Sequence, residues 1–237
     1  MRRKSLAILF LILSITLILH QNISSRNKTA IIIDPLSDES GFRTQSSKLL
    51  NDAGYYVTYF SGEDVTIEFL KNIPIQCDLY IFRVHSTCIN NRTWVFTGEK
   101  YRAGSYPLLQ LADLIHKARP SLGSSYYFAV SPEFIQQYNR DSFKDGTILM
   151  MGCEGLDTDD LAEAFCMEGA AIYVSWDGNV CLQHTDQAFL AILESLCKNR
   201  STIIESIEYA NNHVGRDPVY YSSLNYYTRE HGSRKVS

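Results

Sequence analysis

Apolar runs of strand length alternate along this chain with stretches in which apolar residues recur at helical spacing. Ala30–Asp34 (AIIID) is a continuous apolar run that stops at Asp34-Pro35, the pattern of a strand buried on both faces. Phe42, Leu49, Leu50 and Ala53 then share one helical face, with Gly54 placed to cap it. Tyr55–Phe60 predicts a second strand, Ile67–Leu70 a short helix, and Leu79–Val84 a third strand that ends in Arg83-Val84-His85-Ser86. Thr93–Thr97 and the residues just beyond Gly98 predict a hairpin. Pro107 opens and Pro120 ends a predicted helix whose apolar side is Leu108, Leu111, Ala112 and Ile115. Tyr126–Val130 predicts another strand, and Ser131-Pro132-Glu133 starts a helix.

The stretch Thr147–Gly178 carries most of the information. It predicts a strand over Thr147–Met151, a tight turn at Gly152-Cys153-Glu154-Gly155, a helix capped by Asp157 and closed by Gly169, and a strand over Ala170–Ser175. Beyond it, Phe189, Ile192, Leu193 and Leu196 mark one amphipathic helix. Ile203, Ile204, Ile207 and Ala210 mark a second, with Thr202 and Glu205 as its capping box. The aromatic tail Asp217–Tyr227 reads as an edge strand. Repeated strand–helix alternation predicts an α/β fold: a three-layer α/β/α sandwich with a mostly parallel sheet, which binds and reacts at the carboxyl ends of its strands.

Length and composition refine this picture. The 237 residues suit one α/β domain over residues 30–237. A net charge of -4 supplies no basic surface for nucleic acid. The one basic cluster, Met1-Arg2-Arg3-Lys4, precedes the apolar run Leu6–Leu19, so residues 1–21 read as an export signal or as a thin N-terminal membrane anchor, with residues 22–29 a polar linker. The domain then faces outward, in keeping with Asn-x-Ser/Thr sequons at Asn22, Asn27, Asn91 and Asn199. The six cysteines form neither a disulfide framework nor a CxxC metal pattern, so no metal or other cofactor is expected.

If the third strand and the strand before Cys153 are neighbours, His85 and Cys153 leave adjacent carboxyl ends. An imidazole there can withdraw the thiol proton and later protonate a leaving amine, while the thiolate attacks. The backbone N–H groups of Cys153 and Ser86 can hold the oxygen of a tetrahedral intermediate. Plainer readings stand beside this one: Cys153 as a small buried hydrophobe or half of a disulfide with Cys88, and His85 as a strand end. Arg83 either supports substrate carboxylates or pairs with an acidic neighbour.

The order DLYIFRVHS, GTILMMGCEG, AEAFCMEGAAIYVSWDG and two helices resembles the caspase-like superfamily of cysteine peptidases. Ala162, Ala164, Phe165, Gly169, Ala170 and Trp176 match a phrase similar to its CHAT and clostripain-type members. The resemblance implies a caspase-like fold, His85 and Cys153 as a catalytic dyad, and a peptide or protein as substrate. It also places Asp34, Trp176 and Asp177 near the first specificity pocket, which implies cleavage after Arg or Lys. Ser86 departs from the family pattern, which has glycine after the histidine, and with the five other cysteines it motivates an alternative: a non-catalytic surface module that binds a protein partner.

Overall fold

The computed structural model describes residues 28–36, 41–230 and 233–235, so the export signal or anchor expected over residues 1–21 and most of the expected linker lie outside it. No helix among the described residues is long and apolar enough to cross a membrane. The apolar runs form a seven-stranded sheet. Its strands are β1 (Lys28–Asp34), β2 (Tyr55–Ser61), β3 (Leu79–Phe82), β8 (Thr147–Met150), β9 (Ile172–Trp176), β10 (Leu224–Thr228) and β11 (Ser233–Lys235), in the order β11-β10-β9-β8-β3-β1-β2. The five from β9 to β2 run parallel, and β10 and β11 are antiparallel additions. The tail strand β10 is therefore internal: β11 covers it.

Alternate residues of the parallel strands feed two cores, one on each face. Ile32, Ile81, Leu149 and Val174 pack against α1 (Phe42–Asp52), α6 (Leu182–Lys198) and α7 (Ile203–His213). Ile33, Phe82, Met150 and Tyr173 pack against α2 (Ile67–Lys71), α4 (Pro132–Tyr138) and α5 (Asp160–Met167). The protein is thus mixed α/β, with helices on both faces of a mostly parallel sheet. Several predicted caps are present: the Ser131 hydroxyl accepts from Phe134 N–H, Thr202 and Glu205 form a full capping box, and Gly54 follows α1 at φ 83°. The helix after Cys153 starts at Asp160 rather than behind an Asp157 cap. The Asp160 carboxylate accepts from Thr93 N–H and Oγ1, both at 2.7 Å, and so docks the neighbouring sheet.

That neighbour is where the fold departs from the sequence reading. A second, four-stranded antiparallel sheet has the order β4-β5-β7-β6, from β4 (Ser86–Ile89), β5 (Arg92–Lys100), β6 (Ile115–Ala118) and β7 (Tyr127–Val130). β5 is one continuous strand, not a hairpin of its own; its hairpin partner is β4, across a two-residue turn in which Asn90 and Asn91 both have left-handed φ. The predicted helix over Pro107–Pro120 shrinks to α3 (Pro107–Leu111). Asp113 (φ 60°) ends it, and Ile115 begins a strand. Leu108 and Leu111, assigned to the apolar helical face, are exposed, whereas Leu109, Leu114 and Ile115 are buried.

Candidate active site

The last paired residues of β3 and β8 are Phe82 and Met150, in register. His85 and Cys153 each lie three residues beyond that pair (82 + 3 and 150 + 3), at adjacent carboxyl ends. The two segments approach closely because position 152 is glycine: a Cβ there would lie 2.0 Å from Ser86 Oγ and 3.1 Å from the Val84 carbonyl oxygen. Ser86 Oγ instead donates to the Cys153 carbonyl at 2.5 Å. Glu154 follows in a left-handed conformation (φ 57°), and its N–H donates to the Gly178 carbonyl at 2.8 Å. Its half-buried carboxylate accepts from Cys88 N–H (2.7 Å), Thr87 Oγ1 (3.1 Å) and Asn179 Nδ2 (3.0 Å), tying the Cys153 turn to β4 and to the loop after β9. These bonds make Glu154 a positioning residue.

The half-buried Cys153 sulfur is straddled by the backbone N–H and C=O of a single residue, Val180. It lies 3.5 Å from the Val180 carbonyl oxygen, to which the thiol donates, and 3.4 Å from the Val180 N–H. Burial pushes the thiol pKa up, against the pull of the Val180 N–H, and the nearby Glu154 and Asp217 carboxylates add to the rise. His85 moves the other way: burial first, then the Arg83 charge, lower its pKa from 6.5. Both groups are therefore neutral near neutral pH, a protonated thiol on one strand end and, on the neighbouring one, an imidazole that can accept a proton. No hydrogen bond joins them; the imidazole packs edge-on against Phe96, with ring centroids 6.0 Å apart. The segment Val180–Leu182 links the two surroundings, since Val180 holds the sulfur and Leu182 lines the same cavity as His85. Asp217 fixes this segment by accepting from Cys181 N–H at 2.8 Å.

Two main-chain donors are available here. Among the described residues, Cys153 N–H has no acceptor. The His85 carbonyl accepts from Phe96 N–H across the β4–β5 hairpin (2.9 Å), so the alternation of the ladder turns Ser86 N–H away from β5. It faces the same edge as Cys88 N–H, which reaches Glu154. Ser86 thus presents its backbone to the Cys153 turn.

The remaining predicted residues are committed elsewhere. Asp34 is 1 % exposed, and its carboxylate accepts from Arg83 Nη1 (3.2 and 3.3 Å), from the Tyr59 hydroxyl and from Leu36 N–H (3.1 Å). It compensates a buried guanidinium and cannot also meet a substrate side chain. Arg83 resolves in favour of acidic neighbours, since its other edge grips Asp186 through Nε and Nη2 at 2.8 and 2.9 Å. Trp176 is fully buried core, its indole N–H donating to Thr185 Oγ1 at 2.9 Å. Asp177 accepts from Ser223 N–H (2.7 Å) and Asn225 Nδ2 (3.0 Å), pinning the chain that enters β10. Asp186 escaped the sequence reading, although an acid three residues before Phe189, on the apolar face of α6, is a signal of a buried ion pair.

All six cysteines are free thiols, Cys88 and Cys153 included. Among the described residues no cluster of His, Cys, Asp and Glu could hold a metal ion. The sequons at Asn91, on the β4–β5 turn, and Asn199, after α6, are both exposed; Asn22 and Asn27 lie outside the described residues. No known family model matches the chain, and no curated protein matches it.

Proposed function

We propose that this is an exported cysteine endopeptidase of caspase-like type, with Cys153 as nucleophile and His85 as general base and acid. The observation that carries the reading is the register of β3 and β8, which brings both residues to the same height on neighbouring strand ends. Substrate binding releases the thiol from the Val180 carbonyl, and its proton passes to the neutral imidazole. The sulfur attacks the scissile carbonyl carbon, and the carbonyl electron pair moves onto an oxygen held by the Cys153 and Ser86 N–H groups. The C–N bond breaks as the imidazolium protonates the leaving amine. Water, deprotonated by His85, then cleaves the thioester and restores the thiol. The exposed sequons at Asn91 and Asn199 accord with passage through a secretory pathway.

The resting contact of Cys153 with Val180 instead of His85 favours a second reading, a caspase-like module that binds a protein partner without cleaving it. Purified protein incubated with a peptide pool separates the two. Cleavage is expected, lost in Cys153→Ala and reduced about 10²–10⁴-fold in His85→Ala, the usual range for a general base. No cleavage by the parent chain, or equal cleavage by the Cys153→Ala variant, refutes the peptidase. The pH profile tests the same pair. The base must be neutral and its pKa lies below 6.5, so activity persists as pH falls through 6.5 and declines only at more acid values. An acid limb above 6.5 would exclude His85 as that base.

A further inference from the structure

We infer that the subsite beside His85 receives an apolar side chain of about leucine or phenylalanine size, in place of the basic one implied by the family resemblance; this depends on His85 and Cys153 being the reacting pair. The imidazole forms part of the wall of a cavity of about 240 Å³. Pockets for whole small ligands run roughly 300–1,000 Å³, so this volume suits a single side chain. Pro35 and Leu36 enter it from the end of β1, Phe96 and Tyr127 from the second sheet, and Leu182 from the start of α6. Leu182 is 38 % exposed, leaving apolar surface open beside the imidazole.

Among the described residues nothing in that wall is acidic. Its one buried hydroxyl, Thr97 Oγ1, donates to the Phe128 carbonyl (2.9 Å) and accepts from Glu99 N–H (3.1 Å). The carboxylates bound to Arg83, Asp34 and Asp186, are buried with it and already accept its guanidinium hydrogens. A lysine or arginine side chain entering the cavity would leave water without gaining a carboxylate partner, whereas an apolar one exchanges water for Phe96, Leu36 and Leu182.

The test uses peptidyl acyloxymethyl ketones that differ only in the residue next to the reactive carbon: Leu, Phe, Lys, Arg or Asp. They are applied to the full chain made through a secretory pathway, and intact mass and peptide mapping locate the adduct. The Leu or Phe ketone should modify Cys153 at least about tenfold faster than the Lys, Arg or Asp ketones, the scale on which hydrophobic pockets discriminate. Leu182→Asp should reduce that preference and speed the Lys ketone. Equal or faster modification of Cys153 by the Lys, Arg or Asp ketone overturns the apolar subsite and leaves the dyad standing. Absence of any adduct at Cys153 overturns both.

Discussion

In the seven-stranded sheet, β1, β3, β8 and β9 are covered on both faces, whereas the four-stranded sheet is covered chiefly on one. Val95, Phe128 and Val130 of the smaller sheet join the main core, but Trp94, Phe96 and Ala129 on its other side form only a small cluster. Cys153 follows β8 of the first sheet, and bonds from Ser86 and to Glu154 tie its turn to β4 of the second. His85 sits on the step between them, three residues past β3 and immediately before β4. Alignment of the pair therefore depends on how the lesser sheet docks, while stability depends on the greater one. Substitutions should separate these two properties.

Arg83→Ala should cause the largest loss, because it strands the Asp34 and Asp186 carboxylates in the core of the main sheet. Breaking a buried ionic cluster in this way costs about 3–5 kcal/mol, readable as a lower urea midpoint. A loss under about 1 kcal/mol, the value of exposed pairs, would remove the contrast between the sheets. Gly152→Ala forces a methyl group against Ser86 Oγ, where the sheets meet. About 1–3 kcal/mol of destabilisation is expected from that overpacking, with cleavage activity lost as the Cys153 turn is displaced. Retained activity would show that the junction is more tolerant than its spacing implies. Arg92→Ala removes ion pairs from β5 of the smaller sheet to Asp113 before β6 and Glu133 on α4, and a guanidinium stacked on Trp94. Only about 0.5–1 kcal/mol should follow. A larger effect would make the second sheet as integral to stability as the first.

The same contrast explains what was legible in the sequence. Strands buried on both faces appear as unbroken apolar runs, so β1, β3, β8 and β9 were placed to within two residues, and with them the neighbouring ends that carry His85 and Cys153. The smaller sheet is antiparallel and has a mixed outer face. Leu108, Leu111 and Ile115 fall at helical spacing there by accident, and the structure buries only the last. The turn signal was present as Asn90-Asn91 between two β-prone segments but was passed over. At the site, Asp34 was misassigned because the run AIIID shows where a carboxylate sits along the chain, not what it faces. Its partner Arg83 is 49 positions away. Asp186, a further 103 residues beyond Arg83, completes a charge balance that only the folded chain brings together.

The Val180 backbone that straddles the Cys153 sulfur gives the molecule a form of chemical patience. Oxidation and disulfide exchange begin when a thiolate attacks a peroxide or a disulfide, and a sulfur kept protonated by burial and pointed at a carbonyl supplies little of that nucleophile. Such a group can wait in oxidising surroundings without being consumed, becoming reactive only when something draws it off its perch.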